Sequence, residues 1–366
     1  MLDVTGSMCT DGKGPCDSGP KLDALKTAAK DLVNIVIHNE GDVTARVALV
    51  PFSTRVRVGG YSNGLDGATA GMRMKQLTNL DPTWTGWYNY CKVSSGSGAS
   101  ESGGNWTCNQ FESRHVENWK VMPCVTDRSG SQKSTDAAPG ANAWLNAHGG
   151  TRFPLSFDST DTPLTSKRGL VKIDPANHWD YNDDGSCADV SEKNIIHPLT
   201  SGKSELMDAI DDLEAYGATG GALGTAWAWY ILSPNWSSIW TGASAPGSYG
   251  DLTAVCASGT PKLRKIAVLM SDGVYNTIRG WKDSDPNTVS SDAITLCTNM
   301  KAAGIEIYTV GFNLDELPPA DRARAENTLM SCGTDVSHFY NALSSEQLQV
   351  HFRDIAMKLS TLFLAK

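Results

Sequence analysis

Three short apolar runs rich in β-branched residues, 45–52 (ARVALVPF), 265–270 (KIAVLM) and 305–310 (IEIYTV), each stand beside a segment with helical periodicity. Near-continuous apolar runs mark strands covered on both faces, because a half-exposed strand alternates apolar with polar residues. Strands separated by helices join in parallel, with the helices crossing over the faces of the sheet. The expected fold is therefore α/β, a doubly wound and mostly parallel sheet, in which ligands gather at the carboxyl ends of the strands.

The helices read as follows. Segment 21–39 carries Leu22, Leu25, Ala29, Leu32, Val33 and Val36 on one face, and 203–216 carries Leu206, Ile210 and Leu213 in register. A helix over 222–232 is ended by Ser233-Pro234, and one over 291–303 is stopped by Gly304. Ser344 with Gln347 forms a capping box for a last helix, expected to pack its stripe of Leu348, Phe352, Ile355, Leu359 and Leu362 on the sheet. Segment 54–58 (TRVRV) suits an edge strand and 338–341 a last short one. Only Met1 and Leu2 precede Asp3, whereas a buried strand has about four to eight residues. The rest of that strand is expected upstream of Met1, together with a membrane anchor.

Between 59 and 195 the chain is rich in Gly, Ser, Asn, Asp and Trp and keeps neither period. A structureless loop of that length is improbable in a compact domain, so this stretch reads as an inserted, disulfide-stapled subdomain. The division is then 1–58, 59–195 and 196–366. Trp84, Trp87, Trp106, Trp119, Trp144 and Trp179 fall inside it. A small subdomain needs such side chains for its core, and that reading is preferred over an aromatic surface for sugars. Asp180, Asn182 and Asp184 fit the opening D-x-N-x-D-G of a calcium loop, but the closing position holds Ser191 instead of Glu. An acidic turn is the simpler reading, with additional Ca²⁺ binding as the alternative.

Three loops converge on the carboxyl edge. Asp3-Val4-Thr5-Gly6-Ser7-Met8 follows the first strand, Gly217-Ala218-Thr219-Gly220 follows a helix, and Ser271-Asp272-Gly273 follows the strand at 265–270. Asp3, Asp272 and the hydroxyls of Thr5, Ser7 and Thr219 are all oxygen donors, which suit Mg²⁺, Mn²⁺ or Ca²⁺ and not zinc or copper. Mg²⁺ tends to keep water or to accept a ligand from its partner. A site this short of carboxylates stays electrophilic, so an Asp or Glu of a protein partner can complete it. The simpler alternative is that Asp3, Ser7 and Thr219 only cap helices.

The formal charge of -9, without clustered Lys or Arg, argues against a nucleic-acid surface. The seven histidines make no metalloprotease motif, and there is no G-x-S-x-G elbow or phosphate loop, so no enzyme chemistry is expected. None of the nine cysteines is spaced C-x-x-C, which points to disulfides in an oxidising compartment. Cys9 and Cys16 flank a short loop beside the oxygen cluster. Cys91, Cys108, Cys124 and Cys187 allow three pairings, of which Cys124 with Cys187 and Cys91 with Cys108 is preferred, leaving Cys256 odd.

The oxygen cluster resembles the metal-ion-dependent adhesion site of the von Willebrand A family, whose pattern is D-x-S-x-S, a distant Thr, and a distant Asp followed by Gly. Asp3, Thr5, Ser7, Thr219 and Asp272 occupy those positions, with Thr5 where Ser is usual. The resemblance implies that Thr5, Ser7 and Thr219 touch a magnesium ion through their hydroxyls, while Asp3 and Asp272 act directly or through water. LDVTGSM, ALVPFSTRV, MPCVTDR, HPLTS, GATGG with AWAWYILSP, VLMSDG, LCTNMKAAGIEIYTVGF and LSSEQLQVHFRDIAMKLSTLFLAK further resemble TadG-type proteins of bacterial tight-adherence (Flp) pilus systems. That resemblance implies a membrane-anchored region in the periplasm or at the cell surface, with pilus or cell-envelope partners. It also implies Cys297 with Cys332 as a second pair. The expected function is a cation-dependent protein-binding module in pilus assembly or adhesion. Its rivals are a scaffold that binds through the Trp-rich insertion, its metal site vestigial, and a cytosolic partner subunit of an ATPase of chelatase type.

Overall fold

The computed structural model describes residues 1–12, 14–37, 44–58, 86–92, 99–102, 105–108, 111–116, 124–128, 130–140, 143, 145–147, 172–173, 190–257, 259, 261–278 and 284–364. Strand β1 (Leu2–Asp3) leads through a short helical turn at Gly6–Met8 and the loop closed by Cys9 and Cys16 to helix α1 (Pro20–Val36), then to β2 (Val47–Leu49), β3 (Pro51–Phe52) and β4 (Val56–Arg57). The middle of the chain supplies β5 (Gly86–Lys92), β6 (Ala99–Ser102), β7 (Asn105–Cys108), β8 (Phe111–Val116), β9 (Cys124–Thr126), β10 (Asn146–Ala147) and β11 (Lys172–Ile173). There follow β12 (His197–Thr200), α2 (Lys203–Asp211), α3 (Gly221–Leu232), β13 (Ile266–Ser271) and α4 (Pro286–Ala302). The chain closes with β14 (Glu306–Phe312), α5 (Pro319–Cys332), β15 (Phe339–Ala342) and α6 (Ser345–Leu364).

β13, β14 and β15 pair in parallel, and β1 pairs in parallel with β3. Two hydrogen bonds join the groups: the Met1 amine donates to the Val268 carbonyl at 2.9 Å, and the Met270 amide donates to the Met1 carbonyl at 3.2 Å. β12 adds antiparallel to β2. Alternate residues of β13 and β14 enter opposite cores, as the two-residue period of a strand requires. Ala267, Leu269 and Ile307 pack with Trp227 of α3 and Leu296 of α4. Met270, Tyr308, Val310 and Phe312 pack with Leu22 and Leu25 of α1, Leu206 of α2, and Leu348 and Phe352 of α6. Helix α3 is apolar all round and buried along nearly its whole length, as a helix in a core must be.

Local chemistry moves several boundaries from their expected places. The Asp285 carboxylate accepts from the amides of Asn287 and Thr288 with Pro286 at the first helical position, so α4 begins before Ser291. α2 stops at Asp211 and not at residue 216, because tertiary bonds claim the following backbone. Asn194 both donates to and accepts from Glu214, and Ala215 exchanges two backbone bonds with Cys16. The run at 45–52 divides into β2 and β3, the first facing antiparallel β12 and the second parallel β1. At α6 the Gln347 amide donates to Ser344 Oγ, but the Gln347 side chain reaches back to the Leu343 amide, one residue earlier than a capping box places it.

Within the middle region β5 pairs antiparallel with β8 and parallel with β11, and β6 pairs antiparallel with β7. Cys91 and Trp87 stand on β5, and Cys108 and Trp106 on β7. Trp84, Trp119, Trp144, Trp179, Cys187, Asp180, Asn182 and Asp184 lie outside the described residues. One part of this region is built into the main body. β9 pairs with β4, and the buried Arg128 guanidinium stacks over Tyr230 and Trp236 at 4.7 and 5.1 Å. Asp136 accepts from Ser233 Oγ and the Tyr249 hydroxyl, and its carbonyl accepts from the Trp236 indole.

Cys9 and Cys16 form a disulfide, as do Cys297 and Cys332, while Cys124 is disulfide-bonded and Cys256 is free and exposed. The Cys297–Cys332 bridge ties α4 to α5 across a separation of 35 residues. Replacing both cysteines by alanine is expected to lower stability by roughly 2–4 kcal/mol, the range for closing a loop of that size. Urea denaturation with and without the bridge measures it, and coincident midpoints would show that the two helices need no tie. An apolar cavity of about 1110 Å³, lined by Val47, Leu49, Ile266 and Val268 among others, lies towards the strand ends remote from Asp272. No described helix is long and apolar enough to cross a membrane.

Candidate metal centre

The carboxyl ends of β1 and β13 lie side by side, so Asp3 and Asp272 are placed by the sheet and not by flexible loops. Both are buried, at 0% and 2% exposure. The turn after β1 carries Thr5 and Ser7 back over them. Asp3 Oδ1 accepts from Thr5 Oγ1 at 2.6 Å and from the Thr5 amide at 3.0 Å, while Asp3 Oδ2 accepts from Ser271 Oγ at 2.7 Å. Ser7 Oγ donates to Asp272 Oδ1 at 2.6 Å, and the oxygens of Thr5 and Ser7 lie 2.8 Å apart.

Those contacts form one chain, Asp3 to Thr5 to Ser7 to Asp272. Three short oxygen–oxygen contacts share two hydroxyl protons, because each hydroxyl has only one to give. With both carboxylates ionised, the Thr5–Ser7 contact has lone pairs facing lone pairs. One more positive charge completes it, either a proton on a carboxyl or a cation that takes the lone pairs of several oxygens. Burial, reinforced by the nearby Asp272, pushes the Asp3 carboxyl up to about 7 against the opposing bonds from Thr5 and Ser271. Burial also raises Asp272, opposed by Lys21 and the Ser7 bond. The donor set thus fits a hard divalent cation. Among the described residues no group of three or more His, Cys, Asp or Glu converges, here or elsewhere, so the fit rests on hydroxyls beside two carboxylates.

Thr219 lies on the loop before α3, which is stitched to the same turn. The Gly6 amide donates to the Gly217 carbonyl at 2.8 Å, and the Tyr216 amide to the Val4 carbonyl at 2.8 Å. The reversal at Gly217 needs a φ of 89°, which glycine adopts without strain. Asn276 holds Thr219 itself: its side-chain oxygen accepts from the Thr219 amide and its amide donates to the Thr219 carbonyl, each at 3.0 Å. Among the described residues Thr219 makes no hydrogen bond to the other four. Nor does it cap α3, whose N-terminus has no side-chain cap; the Gly6–Met8 turn likewise has none. Asp3 and Ser7 do not cap α1 either, whose N-cap is Gly19; they bond Thr5, Ser271 and Asp272 instead, so capping accounts for none of Asp3, Ser7 and Thr219.

Several neighbours of the cluster went unmarked in the sequence. Ser271 adjoins Asp272 and orients Asp3, not its neighbour. Lys21, in the first turn of α1, places its ammonium 3.3 Å from Asp272 Oδ2 and 2.8 Å from Glu316 Oε2. Burial works to lower the Lys21 ammonium, but Asp272 and Glu316 outweigh it and raise it. A lysine in a first turn, where the helix macrodipole disfavours cations, is the signal that could have drawn attention to it. The Cys9–Cys16 disulfide closes the rim, with Cys16 bridged to Ala215 beside the Thr219 loop.

No known family matches the chain, and no curated protein does. Among solved structures it is similar to the von Willebrand factor domain of the type V pili tip protein Mfa5 from Porphyromonas gingivalis. The identity is 11% over 98% of this chain and 93% of that one, with a TM-score of 0.43. It is also similar to the pilus adhesin SpaC from Lactobacillus rhamnosus GG, at 10% identity, 98% coverage of this chain and a TM-score of 0.40; the chain spans 30% of the length of SpaC. A third likeness is to proximal thread matrix protein 1 from the mussel byssus with its MIDAS motif occupied by zinc, at 17% identity over 44% of this chain and 32% of that one, with a TM-score of 0.27. Superpositions this loose leave the reading of the site to its own side chains.

Proposed function

We propose that the chain is a divalent-cation-dependent protein-binding module of the von Willebrand A type. Its body is a doubly wound sheet formed by 1–58 and 196–366, with 59–195 inserted. The observation that carries this reading is the oxygen chain one proton short at the carboxyl edge. Asp3, Thr5, Ser7, Thr219 and Asp272 would hold Mg²⁺, with Mn²⁺ or Ca²⁺ as substitutes. The bound ion would supply a Lewis-acidic point for an Asp or Glu of a protein partner. Ser271 and Thr5 orient Asp3, Ser7 orients Asp272, and Asn276 fixes the loop of Thr219. On this reading the set binds a partner and does not catalyse a reaction.

The two described disulfides support an oxidising, extracytoplasmic setting. The resemblance to TadG-type proteins supports a place in pilus assembly or surface adhesion, among cell-envelope partners and with a membrane anchor in the full-length protein. Titration calorimetry with Mg²⁺, Mn²⁺ and Ca²⁺ on the wild type and on Asp272→Ala tests the reading. One site is expected in the wild type, weakened by at least about a hundredfold in the variant. Equal binding by both proteins, or none by the wild type, would remove it.

A further inference from the structure

We propose that Lys21 is a tethered cation that shares Asp272 with the divalent ion, and that Glu316 is the berth to which it withdraws when the ion is bound. The inference rests on the metal-site reading above and goes beyond it by giving the site a built-in competitor.

The geometry is that of a side chain between two anions. Lys21 Nζ sits 3.3 Å from Asp272 Oδ2, the oxygen of that carboxylate that Ser7 does not use, and 2.8 Å from Glu316 Oε2. Asp272 is fully buried at its side chain, whereas Glu316 is 58% exposed. An ammonium shared between them neutralises the buried carboxylate without leaving water. The position is otherwise a poor one for lysine, since the first turn of α1 presents the positive end of the helix dipole. What holds Lys21 there is the pair of carboxylates, drawn from β13 and from the turn after β14.

A divalent ion on Asp272 places like charge beside the ammonium, and at such separations repulsion is strong in a site screened from water. Lys21 need not cross the protein to escape it. It gives up the longer contact and keeps the shorter one, so Glu316 lowers the cost of admitting the ion. The site therefore neutralises itself when empty of metal and still admits it. Removing the lysine removes the competitor, and removing the glutamate leaves the lysine with nowhere to go but Asp272.

The test is calorimetry with Mg²⁺ and with Mn²⁺ on the wild type, Lys21→Met, Glu316→Gln, the double variant and Asp272→Ala, alongside thermal midpoints in EDTA. Lys21→Met is expected to bind about tenfold more tightly than the wild type, with a lower metal-free midpoint because the buried Asp272 carboxylate then has no cation beside it. Glu316→Gln, at an exposed position where folding is not at risk, is expected to bind several-fold more weakly. The double variant should follow Lys21→Met, since a berth has no effect once its occupant is gone. If Lys21→Met and Glu316→Gln both keep wild-type affinity while Asp272→Ala loses it, the competitor is overturned and the metal site stands. If the wild type shows no binding that depends on Asp272, both fall together.

Discussion

Gly221→Ala is expected to cost roughly 3 kcal/mol or more of stability, an overpacking effect at the upper end of its range, and to weaken cation binding with it. A Cβ at this position would lie 2.1 to 2.3 Å from three ring atoms of Tyr275. The ring cannot swing away, because it is 3% exposed and packs edge-on against Phe52 with centroids 6.5 Å apart. Gly220 and Gly224 continue the same seam, where a Cβ would meet the Ser53 carbonyl at 2.6 Å or the Phe52 ring at 2.7 Å. Helix α3 thus lies on the sheet through a row of missing side chains, and lifting its first turn moves the adjacent Thr219 away from Asp3 and Asp272. Chemical denaturation of Gly221→Ala, Tyr275→Leu and the double variant measures the contact. A coupling well above 0.5 kcal/mol is expected, since a smaller side chain at 275 makes room for the new methyl. Additive single effects would show that the seam is looser than this.

The same glycines show where local sequence stops being informative. The period of Leu22, Leu25, Ala29 and Val33 places α1, and the apolar runs place β13 and β14, because each pattern records burial on a face that the element itself defines. Asp3, Thr5, Ser7 and Asp272 are also readable, since each stands where a buried run ends and the chain must turn at the sheet edge. Partners drawn from distant segments are not. Asn194 pulls Glu214 out of a helical period it otherwise fits, and Arg128 and Asp136 join the core around Trp227 and Trp236 from a stretch that has no period of its own. Lys21 stands out in sequence only as a cation in a first turn, which says nothing of what it meets. Only the approach of Asp272 and Glu316, from two other elements, gives it a role.

Cation affinity is expected to fall about tenfold for each pH unit below 7, reaching about a hundredfold by pH 5, because one proton must leave for each ion that binds. The proton in question completes the Asp3–Thr5–Ser7–Asp272 chain, and the carboxyl that burial raises to about 7 is Asp3. The sign for stability follows from the same group. In the unfolded chain Asp3 loses its proton near the ordinary 3.8, whereas the folded, metal-free protein keeps it to about 7. The folded state holds more protons throughout that window, so the contribution is fully present below the unfolded value. It is lost as pH rises through the folded one, by roughly 4 kcal/mol at most. Metal reverses the trend, since a bound ion takes the place of the proton and its affinity grows as the proton leaves. Denaturation in EDTA across pH 4 to 8 should therefore show the wild type losing stability relative to Asp3→Asn towards neutrality, while the buried Met1 amine, held down to about 5, titrates in the opposite sense in both proteins, and saturating Mg²⁺ should stabilise the wild type at pH 8 far more than at pH 5. Calorimetry in buffers of different ionisation enthalpy counts the proton directly: close to one released per ion at pH 6 and few at pH 8. Asp3→Asn carries no titrating group at that position, so its metal-free stability should lose this slope. A wild-type affinity that stays level from pH 5 to 8 would mean that proton and cation do not share the oxygen chain at all.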